Sequence, residues 1–397
     1  MRAVIHAGRA EGTLAAPPSK SMAHRLLICA ALSQGVSTVR GVDMSEDIAA
    51  TADCLRALGS DITLSGDTVT VGGIDRGIRS AVLDCRESGS TMRFMLPICL
   101  ALGGRYQLRG SRRLMQRNMA VYEQLCAENG IEYRQSDCTV TVDGQLQPGT
   151  FCVRGDISSQ FISGIMFASL LMDGESRVQL TTALESRPYV DMTVSAIRQF
   201  GGSVGLLGDR YTANGGGMRA CDCTVEGDYS NAAFFDALNL TGGSVAVSGL
   251  LPDSLQGDKI YRRHFDAICR GGAEIDLTDC PDLGPLLFAL AALKGGARFT
   301  GTRRLRIKES DRVAAMAEEL IKFGVTVTAG DNNAVVSGRL GQPSEMLCGH
   351  NDHRVVMALA TLCTVTGGTV DGAEAVSKSL PDYFERLKSL GIRVELI

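Results

Sequence analysis

The chain repeats one pattern of apolar and polar positions six times. Each repeat opens with an apolar run that starts at small or polar residues and stops at a glycine. These runs are 20–35, 88–103, 158–174, 228–242, 282–295 and 352–367. Their length and their glycine stops predict helices. Because the runs are apolar nearly all round, we predict that the six helices are buried.

A second set of elements follows each buried helix. A short alternating run predicts a strand, and a charged amphipathic run that ends at a glycine predicts an exposed helix. Further alternating runs, such as 61–64 and 68–71, predict a hairpin. With one more strand leading into the next helix, the repeating unit is βαβαββ. Six units with glycines at matching places indicate a repeat architecture.

Two similar domains of three units each are the arrangement that we predict. The N-terminal domain spans 14–226, and the C-terminal domain combines 1–13 with 227–397. The fourth unit is short and lacks a clear final hairpin. The last unit stops at the chain end without one, so we expect a strand near 3–6 to supply its missing edge. The fold class is therefore α/β, an inside-out α/β barrel in each domain.

The polar starts of the buried helices are expected to point towards a cleft between the domains. Helix N-termini carry unpaired N–H groups and partial positive charge, so this cleft would attract anions. With 40 basic and 44 acidic side chains, the net charge is -4. This balance argues against a general nucleic-acid or anionic-membrane binder. A cationic site must therefore be local.

The remaining composition favours a cytoplasmic protein. The apolar runs are too short to span a bilayer, and residues 1–14 lack the apolar segment of a secretory signal. The 13 cysteines are odd in number and include no Cys-x-x-Cys pair, which favours reduced thiols. We therefore expect neither a membrane nor a nucleic acid as partner.

Cations gather at the helix starts and in the stretch 303–312, which carries four arginines, one lysine and two carboxylates. Like charges this close repel each other, which favours a bound anion, although a solvated helix start is the alternative. The candidate cations are Lys20, Arg25, Arg117, Lys308, Arg312, Arg354 and Lys378. Guanidinium and ammonium groups suit phosphate and carboxylate ligands.

Few carboxylates and several hydroxyls accompany these cations. They are Asp47, Asp282, Glu309, Ser21, Ser158, Ser159 and Ser186. The combination indicates a phosphorylated or polyhydroxylated small molecule. Glu309 and Asp282 are candidate acid–base groups, and Lys20 or Lys378 is another if nearby cations lower its pKa. N-capping is the alternative role for Asp282 and for one of the serines.

Other kinds of site find little support. His350 and His353 lie three residues apart, but no third ligand stands nearby, so we expect no metal. The chain also lacks a Walker loop, a dinucleotide-binding glycine pattern and a nucleophile elbow. We therefore expect no cofactor.

Five motifs together resemble a known family. They are Pro-Ser-Lys-Ser at 18–21, Gly-Asp-Ile-Ser-Ser-Gln at 155–160, Arg-Ile-Lys-Glu-Ser-Asp-Arg at 306–312, Asn-Asp-His-Arg at 351–354 and Pro-Asp-Tyr-Phe at 381–384. In this order they are similar to the 3-phosphoshikimate 1-carboxyvinyltransferases, the EPSP synthase family. The resemblance implies two domains of three βαβαββ units, which agrees with the repeat count.

The same resemblance implies an activity. The enolpyruvyl group of phosphoenolpyruvate would pass to the 5-hydroxyl of shikimate 3-phosphate through a tetrahedral intermediate, releasing phosphate without metal or cofactor. Glu309 is implied to protonate the methylene carbon of phosphoenolpyruvate, and Asp282 to orient or deprotonate the attacking hydroxyl. We expect a cytoplasmic monomer that acts in the shikimate pathway, on the route to chorismate and aromatic amino acids.

Binding residues are implied in the same way. Those for shikimate 3-phosphate are Lys20, Ser21, Arg25, Ser158, Ser159, Gln160, Ser186, Asp282 and Lys308. Those for phosphoenolpyruvate are Lys20, Gly89, Arg117, Gln160, Arg312, Arg354 and Lys378. Lys20 is implied on both lists and is the third catalytic candidate.

Two positions depart from the usual pattern of the family. Glu87 stands where asparagine is frequent, and Arg304 stands where an asparagine that contacts the shikimate phosphate is common. Arg303, Arg304 and Arg306 are expected to form a solvated loop. Gly89 is expected to leave room for glyphosate to compete with phosphoenolpyruvate; unchanged turnover at millimolar glyphosate would contradict this.

Three alternatives were weighed against this resemblance. UDP-N-acetylglucosamine enolpyruvyl transferases usually carry a reactive cysteine in the second unit, and residues 113–118 contain none. RNA 3′-phosphate cyclases share the repeat, but the Asn-Asp-His-Arg setting of His353 fits the transferase better. A non-catalytic anion-binding scaffold would have no need of Glu309 and Asp282 among its cations.

Overall fold

The computed structural model describes every residue from Met1 to Ile397. The chain forms two compact units. The continuous unit is Pro18–Glu226, and the discontinuous unit is Met1–Pro17 together with Gly227–Ile397. Both combine helices with sheets, so the predicted α/β class is confirmed. None of the helices has the length and apolar character needed to cross a membrane.

The chain contains thirteen α-helices and twenty-two strands. The helices are α1 (Lys20–Leu32), α2 (Glu46–Ala57), α3 (Gly89–Leu102), α4 (Arg112–Met115), α5 (Ala120–Glu128), α6 (Ser159–Ser169), α7 (Arg187–Gln199), α8 (Tyr229–Asp236), α9 (Tyr261–Arg270), α10 (Gly284–Lys294), α11 (Arg312–Ile321), α12 (His353–Thr366) and α13 (Tyr383–Ser389). The strands are β1 (Arg2–Ile5), β2 (Glu11–Ala15), β3 (Val36–Arg40), β4 (Ile62–Ser65), β5 (Thr68–Gly72), β6 (Ser80–Asp84), β7 (Gly104–Arg109), β8 (Glu132–Gln135), β9 (Thr139–Gly144), β10 (Thr150–Val153), β11 (Glu175–Leu180), β12 (Ser203–Leu207), β13 (Arg210–Asn214), β14 (Cys223–Thr224), β15 (Ser244–Ser248), β16 (Glu274–Asp276), β17 (Ala297–Thr300), β18 (Val325–Ala329), β19 (Asn333–Gly338), β20 (Leu347–Cys348), β21 (Gly368–Asp371) and β22 (Val394–Leu396).

Three four-stranded sheets of one design lie in the continuous unit. Their strand orders are β14-β3-β5-β4, β6-β7-β9-β8 and β10-β11-β13-β12. In each sheet the first pair is parallel and the other pairs are antiparallel. Strand β9 shows the underlying pattern, because Val140 and Val142 are buried while Thr139 and Thr141, which alternate with them, are only partly covered. The predicted βαβαββ repeat is therefore present.

The discontinuous unit has one sheet of the same design, β16-β17-β19-β18, and two modified ones. In the sheet β20-β21-β1-β22, Ala3 of β1 lies opposite Val370 on one side and Leu396 on the other. The expectation that an N-terminal strand completes the last unit is confirmed, although β1 lies inside the sheet and not at its edge. The short fourth unit has only β15 paired with β2, so it does lack a final hairpin.

Strand pairing decides where the chain changes from one unit to the other. Strand β2 precedes α1 in sequence but pairs in parallel with β15, and β14 precedes α8 but pairs in parallel with β3. Because β2 stays with β15, residues as far as Pro17 belong to the discontinuous unit. The continuous unit therefore begins at Pro18, four residues after the predicted domain start at residue 14.

The first helix of each repeat is buried, as predicted. In α12 every residue from His353 to Thr364 is buried. In the continuous unit α3 and α6 pack together, and the rings of Phe94 and Phe167 meet edge to face at 5.4 Å. The more charged helices bury one face only; α9 buries three of its ten residues. Each unit thus has its own core.

Candidate active site

The starts of four helices meet in the continuous unit. Lys20 of α1 donates to the Asp47 carboxylate of α2 at 2.8 Å, and Thr91 Oγ1 of α3 lies 3.4 Å from the backbone oxygen of Asp47. Gln160 of α6 donates to Ser90 of α3 at 2.9 Å. Because helix starts carry partial positive charge, their meeting favours an anion. Lys20 adds a cation there, and Asp47 offsets its repulsion from the α1 dipole.

Serines cap the three buried helices of this unit. Ser19, Ser88 and Ser158 each accept a hydrogen bond from a backbone N–H two or three residues further on. The capping alternative is therefore confirmed for Ser158. A serine that accepts through its oxygen still carries an O–H donor, so capping does not prevent Ser158 from binding an anion. Ser159 follows as the first, buried residue of α6.

Arg25 joins α1 to α7. Its guanidinium donates to Thr193 Oγ1 at 2.8 Å and to the backbone oxygens of Tyr189 and Ser21 at 2.8 and 2.6 Å. It also lies 5.5 Å from the ring centre of Phe94. Burial lowers the pKa of Arg25 to about 10, so the side chain stays cationic at neutral pH.

Ser186 stands directly before α7 with a strained backbone. Its φ of 55° is in the left-handed region, and its side chain is fully buried. Tyr189 and Thr193, which accept hydrogen bonds from Arg25, lie three and seven residues after Ser186, so α7 links this turn to Arg25. Strained residues of this kind persist where the surroundings fix them, often at ligand sites.

Gly89 begins α3 and faces the guanidinium of Arg117. A Cβ atom at residue 89 would lie 2.3 Å from Arg117 Nη1, so only glycine fits while the arginine stays in place. The structure thus brings together two residues that the family resemblance implies for one ligand. The space beside Gly89, which we expected to be open, is taken by this cation.

Arg93 was not among the predicted site residues, yet it orients one of them. Its guanidinium donates to Gln160 Oε1 at 2.7 Å and lies 4.9 Å from the ring centre of Phe161. With its oxygen held, Gln160 directs its amide nitrogen towards Ser90. Arg93 lies four residues after Gly89, on the same face of α3, and this spacing is the signal that the sequence offered.

Arg312 is the centre of the second group of predicted residues, in the discontinuous unit. Its guanidinium pairs with Asp282, Glu309 and Asp352, each at 2.8 Å, and its side chain is 1% exposed. Although burial disfavours the charge, the three carboxylates raise the pKa of Arg312 well above its ordinary value. Asp352, which also caps α12, was missed as a partner. Arg312 therefore organises both predicted acid–base carboxylates.

Asp282 lies between two cations. Lys308 Nζ is 3.1 Å and Arg312 Nη1 2.8 Å from its Oδ1 atom. Desolvation alone would raise the pKa of Asp282, but Lys308, Arg312 and Arg354 outweigh it and hold the pKa well below its usual range. Burial lowers the pKa of Lys308. Asp282 does not cap α10, whose N-cap residue is Leu283, so the capping alternative is wrong.

Arg354 and Lys378 flank the start of α12. Arg354 donates to Asn231 Oδ1 at 2.9 Å, and its guanidinium lies 5.7 Å from the ring centre of Phe234. Lys378 donates to the backbone oxygen of Asn351 at 2.7 Å. Both cations are almost fully buried. Asn231, which fixes Arg354, was missed because nothing in the pattern of α8 distinguishes it.

Asp258 is a further carboxyl group that sequence reasoning missed. It lies in the 3₁₀ turn Gly257–Ile260 and is 4% exposed. Burial, and then the negative charge of Asp282, raises the pKa of Asp258 to about 7, against the opposing charge of Arg354. In the discontinuous unit, the Asp258 carboxyl group therefore titrates near neutral pH, whereas that of Asp282 is ionised there.

Arg304 is not in a solvated loop, so that expectation is wrong. It belongs to the 3₁₀ helix Arg303–Ile307, is 5% exposed, and its charge contributes to the lowered pKa of Lys308. Arg303 is exposed and pairs with Asp331 at 2.8 Å, whereas Arg306 is half-buried and pairs with Asp311 at 3.4 Å. Because these residues form a 3₁₀ helix, Arg304 points into the protein while Arg303 and Arg306 do not. The spacing of the arginines along the sequence could not reveal this difference.

Comparisons with known proteins identify the family to which the chain is similar. The family profile of EPSP synthase (3-phosphoshikimate 1-carboxyvinyltransferase) matches residues 5–387. A 3-phosphoshikimate 1-carboxyvinyltransferase of Clostridium kluyveri is 36% identical over 98% of this chain and 97% of its own. One from Clostridioides difficile is 34% identical over 98% of each.

Solved structures support the same fold. EPSP synthase from Acinetobacter baumannii is similar to this structure with a TM-score of 0.77 at 24% identity, and the match covers 100% of both chains. The profile match and the curated relatives extend over nearly the whole chain, and the fold resembles that of solved EPSP synthases. The chain therefore belongs to the EPSP synthase (3-phosphoshikimate 1-carboxyvinyltransferase) family.

Proposed function

We propose that the protein transfers the enolpyruvyl group of phosphoenolpyruvate to the 5-hydroxyl of shikimate 3-phosphate, as its family does, and releases phosphate (EC 2.5.1.19). The observation that carries the proposal is the pairing of Asp282 and Glu309 with one buried guanidinium, that of Arg312. Two carboxylates fixed within one cationic cluster suit a reaction in which protons move beside anionic substrates.

Shikimate 3-phosphate would bind mainly at the helix starts of the continuous unit. We assign to it Lys20, Ser21, Arg25, Ser158, Ser159, Gln160, Ser186, Asp282 and Lys308. Hydroxyl donors beside helix N-termini suit a phosphate, and the buried cation of Arg25 adds attraction. Asp282 and Lys308 would hydrogen-bond the ring hydroxyls, since carboxylate and ammonium supply an acceptor and a donor side by side.

Phosphoenolpyruvate carries a carboxylate and a phosphate, so it needs more cations than hydroxyls. We assign to it Lys20, Gly89, Arg117, Gln160, Arg312, Arg354 and Lys378. The guanidinium of Arg312 is shared among three carboxylates, so binding would redistribute its hydrogen bonds. The Arg117 guanidinium against Gly89 supplies a cation at the start of α3.

Glu309 would deliver a proton to the methylene carbon of phosphoenolpyruvate, which makes its C2 atom electrophilic. The 5-hydroxyl would then attack C2, forming a C–O bond and a tetrahedral intermediate. Return of a proton from the new methyl group to the Glu309 carboxylate, with cleavage of the C–O bond to phosphate, would restore the double bond and release phosphate. Because the pKa of Asp282 is low, this carboxylate is better suited to orient the hydroxyl than to remove its proton.

Lys20 and Lys378 are the other candidates to accept that proton, each as a neutral amine that becomes an ammonium group when it takes the proton. The Nζ atom of Lys20 is held by Asp47, and that of Lys378 by the backbone oxygen of Asn351. We further propose that the enzyme acts as a cytoplasmic monomer, because all the assigned residues lie on one chain and doubly charged phosphates do not cross a bilayer unaided.

Phosphate release tests the proposed function directly. The protein should release phosphate when phosphoenolpyruvate and shikimate 3-phosphate are supplied together, and not when either is supplied alone. No release with both present would reject the proposal. Light scattering with and without the two substrates would reveal any dimer.

A further inference from the structure

A group of polar contacts around the buried carboxylate of Glu319 lies beside the start of α12, outside the assigned substrate residues. The Glu319 cluster, as we term it, consists of Glu319, Lys322, Cys348 and His350. The Glu319 carboxylate is 1% exposed and accepts from His350 Nε2 at 2.9 Å, Lys322 Nζ at 3.0 and 3.1 Å and the Cys348 N–H at 2.8 Å. The lysine ammonium neutralises the carboxylate, so an ion pair suits this cluster better than a metal ion.

The segment that the cluster holds has an unusual backbone. His350 and Asn351 have φ values of 50° and 51°, so two consecutive residues with side chains are left-handed. Such conformations persist only where their surroundings fix them. Glu319 holds the ring of His350, and Lys378 donates to the backbone oxygen of Asn351 at 2.7 Å. The left-handed turn is thus held on both sides.

One face of α11 reaches both ends of this turn. Arg312 and Glu319 are seven residues apart, which is about two helical turns. Arg312 binds the Asp352 carboxylate, and Glu319 binds His350. Asp352 in turn accepts from the backbone N–H of Arg354 at 2.9 Å. The position of Arg354 therefore depends on both contacts made by α11.

We propose that the Glu319 cluster is a positioning device for phosphoenolpyruvate binding, in which protonated His350 holds the left-handed turn and thereby sets Arg354 and Lys378 for the ligand. The inference rests on the proposed function, which assigns those two cations to phosphoenolpyruvate. Loss of the His350 proton removes the cation from the ion pair and leaves an uncharged imidazole facing the Glu319 carboxylate, which is a weaker interaction. The turn then loosens, and affinity for phosphoenolpyruvate falls.

The groups around His350 favour its protonated form. The hydrogen bond to Glu319, aided by the charge of Glu318 at 3.8 Å, outweighs burial and the charge of Lys322 and raises the pKa of His350. Burial would raise the pKa of Glu319, but its hydrogen bonds to His350, Cys348 and Lys322 lower it. The ion pair of His350 with Glu319 therefore stabilises the folded protein fully at pH values below 6.5, the ordinary pKa of histidine. This stabilisation is lost as the pH rises through the higher pKa that His350 has in the folded protein.

Steady-state kinetics with His350→Gln separates this role from a merely structural one. Glutamine keeps a donor towards Glu319 but does not titrate. Between about pH 6.5 and about pH 9 the wild-type KM for phosphoenolpyruvate should rise about threefold or more relative to that of H350Q. For kcat, and separately for the KM for shikimate 3-phosphate, the ratio of the wild-type value to the H350Q value should not change with pH. His350→Ala should raise the KM for phosphoenolpyruvate at every pH.

His6→Gln is the matched control. His6 pairs with Glu395 at 3.1 Å, but both side chains are largely exposed and lie far along the chain from α12. H6Q should follow the wild type throughout. Equal pH profiles for wild type and H350Q, or an H350A variant that loses thermal stability without a change in KM, would overturn the proposal.

A measurement on the ligand-free protein distinguishes failure of this inference from failure of the proposed function. The backbone amide resonances of Asn351–Arg354 should shift with the titration of His350 in the wild type and stay constant in H350Q. If they do not shift, the positioning role is wrong whatever the enzyme does. If they shift but no variant releases phosphate from the two substrates, the assignment of the reaction is wrong.

Discussion

Arg312 holds three carboxylates on one guanidinium, so single substitutions in its neighbourhood differ greatly in their side effects. Removing one partner from a buried ion cluster costs about 3–5 kcal/mol, because the remaining charges are left uncompensated. In a variant of Arg312 or Asp352, a loss of activity could therefore not be separated from a loss of stability. Glu309, whose side chain is 20% exposed at the margin of the cluster, can be changed with less damage.

Glu309→Gln should separate binding from catalysis. The amide preserves size and polarity but cannot donate the proton, so kcat should fall by about 10²- to 10⁴-fold while substrate affinities stay within about threefold. Phosphate release and calorimetric binding measure the two quantities. Glu385→Gln is the matched control, because Glu385 forms an exposed ion pair of the same i,i+3 spacing with Lys388. Unchanged turnover of E309Q would favour a non-catalytic anion-binding scaffold.

Gly89→Ala should weaken phosphoenolpyruvate binding more than shikimate 3-phosphate binding. The added methyl group would lie 2.3 Å from Arg117 Nη1, so the guanidinium has to move. We expect the KM for phosphoenolpyruvate to rise by about tenfold. Gly149→Ala is the control, since its added Cβ would lie 3.9 Å from the backbone oxygen of Gln147, an ordinary van der Waals contact. A G89A enzyme with an unaltered KM would show that Arg117 does not contact this substrate.

At the scale of elements, a chain of hydrogen bonds connects α1, α2 and α3. His24 Nδ1 lies 2.8 Å from Thr51 Oγ1, Thr51 is bonded to Thr91 at 2.7 Å, and Thr91 donates to Ser88 at 2.8 Å. His24 is 1% exposed. Burial, together with the nearby cations, lowers the pKa of His24 well below 6.5. This series of hydrogen bonds therefore contains the neutral form of the His24 imidazole.

His24→Asn should remove part of the acid sensitivity of the fold. The unfolded chain protonates His24 near its ordinary pKa of 6.5, whereas the folded protein does not, so acid favours unfolding. Below pH 6.5, His24 should lower the free energy of unfolding of the wild type by up to about 1.4 kcal/mol for each pH unit. Denaturant titrations near pH 7 and near pH 5 measure the slope, with H6Q as control. Identical slopes for wild type and H24N would contradict a neutral buried imidazole.

The helices and strands that could be predicted from the sequence are those whose buried positions recur at a regular spacing. The apolar run 352–367 could only be a buried helix, and the unfinished last repeat required a strand such as β1. Contacts between distant side chains have no such period. The pairing of Arg312 with Asp352 and the burial of Arg304 depend on a 3₁₀ turn and on helix packing, so neither could be predicted.

At the scale of the whole molecule, the discontinuous unit is assembled from both ends of the chain. Strand β1 lies between β21 and β22, and Ala3 is fully buried there. Ala3→Asp should therefore destabilise this unit by about 3 kcal/mol or more, because a carboxylate would be buried without a partner. Differential scanning calorimetry measures the loss. Arg2→Gln, at a side chain that is 56% exposed, should change stability by about 0.5 kcal/mol or less.

The same pairing sets an order of events during synthesis. Arg2 and Ile397 exchange two backbone hydrogen bonds, at 2.8 and 2.9 Å, so β1 is fully paired only after β22 has been made. The continuous unit has all its strands once β14 is made and can fold on the growing chain. Strands β1 and β2 must wait, with unpaired edges that invite aggregation. A chain terminated between β14 and β22 would thus carry one finished core and one that can never close.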